Sequence, residues 1–299
     1  MNLKEKVSIY REANKLSQEK FATLAGINSG ALSAWLNDKY SGNPDTVEIP
    51  IAQFLMREEE RQKITSKNTI PFADTIISQE IEKVLEYCRT QKGIGCIHGD
   101  AGVGKTMTAT RWSKDKPDVL YLRARMSSRR PLPFFKQLAK AIKSRSTGTL
   151  SDIYEDMADK LYRQDRTIII DEAQHLTFET LENIRDLADE TEIAVIFIGN
   201  AKIYTNMIGN KQEDYAQQYS RLLLHLPVLT DRFALSDIEN IFGHNLDKEA
   251  KEYLLNMART KNGLRSAVNV YINASNTGDT SKKGLKTSAT MTGKIAQSF

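Results

Sequence analysis

Gly99-Asp100-Ala101-Gly102-Val103-Gly104-Lys105-Thr106 fits the pattern G-x-x-x-x-G-K-[ST], with an apolar run before it and a helical pattern after it. Ile94-Gly-Cys-Ile-His98 reads as a short buried strand and Met107 to Trp112 as helix, so the glycines fall on a strand-to-helix turn. At such a turn, successive backbone N–H groups wrap phosphate oxygens while the helix N-terminus adds partial positive charge. Residues 99–107 are therefore the expected binding loop for a nucleoside triphosphate. Lys105 is placed to reach the β- and γ-phosphates, and the Thr106 hydroxyl to ligate Mg²⁺.

Two further apolar runs end in groups suited to phosphate chemistry. Thr167-Ile-Ile-Ile-Asp171-Glu172 has the character of a parallel strand buried on both faces, delivering two acids at its C-terminal end. Asp171 is expected in the Mg²⁺ shell, and Glu172 as the general base that polarises the attacking water. An Asp-Glu pair in this position also suits a helix N-cap. Ala194-Val-Ile-Phe-Ile198 ends in Gly199-Asn200, and an Asn at that tip can orient water against the γ-phosphate.

The chain has 299 residues, 40% of them hydrophobic, enough for two domains or one large domain with an appendage. Cys88 and Cys96 lack metal-site spacing and read as reduced, structural thiols, which fits a cytoplasmic protein. The polar Met1 to Lys6 has no apolar segment behind it, and no run of 18 apolar residues occurs, so neither secretion nor a membrane partner is expected. A net charge of +4 permits nucleic-acid binding without requiring it, since clustered cations matter more than the sum.

Residues 1–60 carry a second signature. In Gln18 to Leu36, small Ala22 and turn residue Gly26 are four apart, and Phe21, Ala25, Ile27, Leu32 and Trp35 are spaced to lock two short helices at a steep angle. That pattern is a helix-turn-helix. Its second helix, about 29–37, presents Asn28, Ser29 and Ser33 as candidate DNA contacts. The same segment holds seven Lys/Arg against nine Asp/Glu, which suits auxiliary DNA contact or a plain helical core without a DNA role. A charged run, Arg57 to Lys63, leads into a polar linker over 61–75. From residue 76 to 228, strands alternate with helices, the signature of a parallel sheet covered on both faces. The strand pattern stops after Asn200, and amphipathic helices over 229–276 form a lid. Gly278 to Phe299, with Lys282, Lys283, Lys286 and Lys294, reads as a mostly flexible basic tail from about 277 onward, with room for a short terminal helix.

The phosphate loop, the Asp-Glu strand, the Asn-tipped strand and the helical lid together resemble an AAA+ ATPase, an α/β P-loop fold with a lid, here preceded by an all-α domain. The resemblance implies two further catalytic groups. Arg221, in Tyr219-Ser220-Arg221, falls where such proteins carry an arginine finger, and Arg265, in Gly263-Leu264-Arg265, resembles the sensor that touches the γ-phosphate from the lid.

The combination is narrower still. Ile27 to Tyr40, Gly102-Val-Gly-Lys-Thr106, Ile169 to Leu176, and Gly199-Asn200 with Ile203-Tyr204-Thr-Asn-Met207 resemble the B transposition proteins of phage Mu and its relatives, over roughly residues 1–275. The resemblance implies an ATP- and Mg²⁺-dependent protein that binds double-stranded DNA without sequence preference. It further implies assembly into a helical filament on target DNA, recruitment and activation of a transposase, and release when hydrolysis is stimulated. DNA contact in such filaments falls on loops facing the channel. Arg123, Arg125, Arg129 and Arg130 after the second strand are the first candidates here, with Lys160 and Arg163 second; the run equally suits a solvated loop or intersubunit ion pairs. The terminal tail resembles the family least, and Asp100 occupies a loop position open to many residue types. A replication-initiator or helicase-loader ATPase shares every nucleotide motif, and a nucleotide-gated helix-turn-helix regulator shares both domains.

Overall fold

The computed structural model describes residues 2–67, 70–208 and 222–293, and the chain divides into two compact units, 1–69 and 70–299. In the first unit, α1 (Leu3–Ala13), α2 (Gln18–Ala25) and α3 (Ser29–Leu36) pack with α4 (Asp45–Lys67). Gly26 ends α2 at φ +71°, a left-handed conformation that costs glycine nothing and turns the chain into α3. Ala22 and Ala25 are buried beside Phe21, Leu32 and Trp35, so the small side chains sit where the helices meet. Phe21 and Phe54 meet edge to face with ring centroids 5.5 Å apart, and Tyr10 closes the cluster against both. The helix α4 runs on to Lys67, through the start of the expected linker, because the Glu, Arg, Gln and Lys residues there are good helix formers.

The second unit opens with α5 (Ile76–Gln91), then alternates β1 (Ile94–Gly99), α6 (Lys105–Ser113), β2 (Val119–Arg123), α7 (Pro131–Ala141), α8 (Leu150–Leu161), β3 (Thr167–Asp171), α9 (Phe178–Thr191), β4 (Ala194–Gly199) and α10 (Ala201–Ile208). A further strand, β5 (Leu222–Val228), precedes α11 (Leu235–Phe242), α12 (Lys248–Ala258), α13 (Gly263–Thr277) and α14 (Lys282–Met291). The sheet has the order β2-β3-β4-β1-β5, and every pairing is parallel. Alternate strand residues feed two cores. Ile97, Ile169, Ile196 and Ile198 pack with α5, α6 and the C-terminal helices, while Ile168, Ile170, Val195 and Phe197 pack with α7, α8 and α9. Each central strand is thus apolar along most of its length, with polar groups only at the ends, because both of its faces are covered.

One expectation is corrected here and one sharpened. The strand pattern does not stop after Asn200: β5 pairs with β1 and completes the sheet. His225 and Pro227 interrupt its apolar run, and both are tolerated because the strand lies at an edge. The segment from 277, expected to be mostly flexible with a short terminal helix, carries that helix as a packed element of the second unit. Ser281 caps α14, Leu285 and Ala289 are buried against the neighbouring helices, and Lys282 Nζ pairs with Glu249 of α12 at 3.0 Å. A Leu-x-x-x-Ala spacing with Gly284 and Ser288 provides one narrow, closely packing face, too sparse in large apolar residues to stand out in sequence.

Candidate active site

The strand order puts the tips of β1, β3 and β4 side by side, with the tip of β2 flanking β3. Between β1 and α6 the loop turns at Gly99, Gly102 and Gly104, with φ of +140°, +76° and +98°. Lys105 opens α6 and folds back over the loop, its Nζ donating to the carbonyls of Gly99 (3.1 Å) and Asp100 (2.5 Å). Burial lowers the Lys105 pKa, and Asp171, Asp100 and Glu172 oppose that shift, so a mostly buried ammonium is held in an acidic surround. The Thr106 hydroxyl donates to Asp171 Oδ2 at 2.7 Å, joining the two expected Mg²⁺ groups into one cluster of hard oxygens.

Asp171 is buried, and its Oδ1 accepts the Glu172 N–H at 2.8 Å. Glu172 takes a left-handed backbone conformation, φ +55°, which is strained for a residue with a Cβ and bends the chain sharply off the strand tip. Its carboxylate is held from two sides, by Arg123 at 3.2 Å and by the side-chain amide of Gln174. Gln174 Oε1 in turn accepts the backbone N–H of Asn200 at 3.3 Å, tying the β3 and β4 tips together. A Cβ on Gly199 would collide with that same Gln174 oxygen. Asn200 Oδ1 accepts from Lys202 N at 3.0 Å and starts α10, leaving the amide hydrogens as its donors toward the site.

The lid is seated directly on the phosphate loop. Gly263 begins α13 at φ +63°, where a Cβ would lie 2.5 Å from the Ala101 carbonyl; a Cβ on Gly102 would lie 2.7 Å from the Asn262 carbonyl. Arg265 follows on the exposed side of α13, near enough for its charge to oppose that of Lys105. Asp100 is not an open position. Its backbone N–H bonds the Val228 carbonyl at 2.9 Å, and its Oδ2 accepts from Thr230 N (2.9 Å) and Thr230 Oγ1 (3.1 Å). The Thr230 hydroxyl also bonds the Arg259 carbonyl, so the Asp100 side chain joins the loop to the lid. Ala101, Val103 and Met107 complete the loop, with Val103 buried and Met107 exposed. Arg221 lies outside the described residues.

The DNA candidates separate. Arg123 is committed to Glu172, whereas Arg125, Arg129 and Arg130 are exposed and carry no ion pair among the described residues. Their loop is ordered from beneath: the Arg129 carbonyl accepts from Thr177 N (3.0 Å) and Thr180 Oγ1 (2.8 Å) at the start of α9. Lys160 and Arg163 sit at the other end of the sheet, where Arg163 N bonds the Thr191 carbonyl just before β3 and β4 begin, so they share no surface with the arginine loop. In the first unit, Asn28 spends its carbonyl oxygen on capping α3, accepting from Gly30 N (2.8 Å) and Ala31 N (3.3 Å). Ser29 is exposed, and Ser33 half-buried. Gln174 and Tyr121 were not singled out as site residues from the sequence: Gln174 lies two residues after Glu172, within the Ile169–Leu176 stretch, and holds it locally, whereas Tyr121 reaches Asp171 only because β2 pairs with β3.

A parallel sheet with the phosphate loop after β1, acids on β3, an Asn after β4 and a helical lid on the loop defines an AAA+ P-loop ATPase, and a family model described as an AAA domain matches residues 88–207. The chain is 29% identical to the Mu-like prophage FluMu DNA transposition protein B of Haemophilus influenzae, over 91% of this chain and 96% of that protein. It is 27% identical to the ATP-dependent target DNA activator B of Escherichia phage Mu, over 85% of this chain and 81% of that protein, and to its namesake in Escherichia phage D108, over 78% and 76%. Over most of its length the chain is similar to Mu B-type DNA transposition proteins.

Proposed function

We propose that this chain is an ATP- and Mg²⁺-dependent activator of target DNA, which assembles as a filament on duplex DNA of any sequence and there recruits and activates a transposase. The observation that carries the reading is the hydrogen-bonded cluster of Thr106, Asp171 and Glu172, with the Lys105 ammonium folded onto the adjoining phosphate loop within reach of the acids' charge and exposed arginines on the loop after β2. The relatives' names, which couple ATP to target DNA, support it. Thr106 and Asp171, joined by a hydrogen bond, would hold Mg²⁺, which would supply charge neutralisation to the transferring phosphoryl group. Lys105 turns its ammonium from the loop carbonyls to the β- and γ-phosphates. Glu172 takes the proton of the attacking water, Asn200 orients that water with its amide, and Arg265 approaches the γ-phosphate from the lid. Arg221 reaches the nucleotide of a neighbouring subunit.

Arg125, Arg129 and Arg130 grip the DNA backbone without reading bases. The helix-turn-helix unit, with its acidic excess, adds auxiliary contact through Ser29 and Ser33. Residues 1–60 and 76–228 act as separate domains, 229–276 as the nucleotide-sensing lid. No described helix is long and apolar enough to cross a membrane, and the proposed work on DNA is cytoplasmic. The test is electron microscopy with duplex DNAs of unrelated sequence, with and without ATP, together with footprinting. Continuous ATP-dependent coating and uniform protection are expected. A single protected palindrome points instead to an operator-reading regulator and overturns the proposal.

A further inference from the structure

Asp171 accepts one hydrogen bond from outside the recognised motifs. Tyr121, in the middle of β2, faces α6 rather than solvent, and its hydroxyl donates to Asp171 Oδ2 at 2.6 Å. The Thr106 hydroxyl donates to the same oxygen at 2.7 Å, and the Glu172 N–H to Oδ1 at 2.8 Å. A carboxylate oxygen has two lone pairs in its plane, so Tyr121 and Thr106 together saturate Oδ2, while Oδ1 keeps one free. The rotation of the carboxylate is thereby fixed, and with it the oxygen presented to a cation.

We infer that Tyr121 is a positioning residue for the metal site: its hydroxyl fixes the orientation of the Asp171 carboxylate, which would hold Mg²⁺ together with Thr106. Thr106 cannot do this alone, because its hydroxyl is itself a metal ligand and must be able to turn its lone pairs to the ion. Thr110, one helical turn after Thr106, also interacts with the Tyr121 hydroxyl. Donors of this kind typically change metal affinity by about 10- to 100-fold when removed.

The inference rests on the proposed nucleotide site, and the experiment separates the two. A fluorescent ADP analogue is bound to the full chain and to Tyr121→Phe, once in EDTA and once along a Mg²⁺ titration, with thermal melting as a check on folding. The variant is expected to match the wild type in EDTA while its Mg²⁺ midpoint rises about tenfold. In an Asp171→Ala background, Tyr121→Phe is expected to add nothing, as two residues acting through one group do not add. An unchanged Mg²⁺ midpoint, or an equal loss of affinity with and without Mg²⁺, overturns the positioning role. Failure of the wild-type chain to bind the analogue at all overturns the nucleotide site itself, and the inference with it.

Discussion

Asp100→Ala is the substitution whose cost follows most directly from the structure, since a side chain in the middle of the phosphate loop serves the junction between sheet and lid. It removes two hydrogen bonds into a carboxylate, from Thr230 N at 2.9 Å and Thr230 Oγ1 at 3.1 Å. Bonds to a charged acceptor contribute about 1.5–3 kcal/mol each, but these two share one oxygen on a half-buried group that water can partly replace. Thr230 is only 6% exposed, so its N–H is left poorly satisfied, and a total near 2–4 kcal/mol is expected. For a unit of this size each kcal/mol lowers the melting temperature by about 2–4 °C, giving a fall of roughly 5–15 °C. Asp100→Asn, which keeps an acceptor but not the charge, should lose about half as much. Calorimetry without nucleotide measures both variants. A change below about 1 °C for Asp100→Ala would show that the Asp100–Thr230 link does not hold the loop to the lid.

Glu172→Gln is expected to retain nucleotide binding and lose most hydrolysis, which also prolongs DNA complexes; unchanged turnover removes Glu172 from the role of base. Replacing Arg125, Arg129 and Arg130 by Ala should weaken binding to all DNA sequences and flatten log affinity against log salt by about one unit per lost phosphate contact, measured by anisotropy at several salt concentrations. Loss confined to one sequence would contradict backbone contact. His98 stacks with His225 and Tyr204 beside the loop, and burial, then the charges of His225 and Lys105, lowers its pKa from 6.5 to about 4. Between those values the unfolded chain binds a proton that the folded chain refuses, so stability should fall as pH drops from about 6.5 to 4 and level off below. His98→Gln should reduce that slope in melting curves, leaving the share of His225, whose pKa burial also lowers; an unaltered slope assigns it to other groups.

The phosphate loop, the acid-tipped strand and the Asn-tipped strand were legible because each is a contiguous stretch whose residue types and order carry the chemistry. A strand buried on both faces must be apolar along most of its length, so β1, β3 and β4 announce themselves, and the helix-turn-helix is set by Ala22 and Gly26 for equally local reasons. What the sequence could not supply depends on residues far apart meeting. Pro227 and His225 hide β5 until its place at the sheet edge explains why they are tolerated. Asp100 looks interchangeable until Thr230, 130 residues later, is found on its carboxylate. Tyr121 is one apolar-strand aromatic among several until β2 lies beside β3 and puts its hydroxyl on Asp171. Sequence fixes what a segment can do through its own backbone and periodicity, whereas hydrogen bonds between segments are decided only when sheet order and register bring their atoms within about 3 Å of each other.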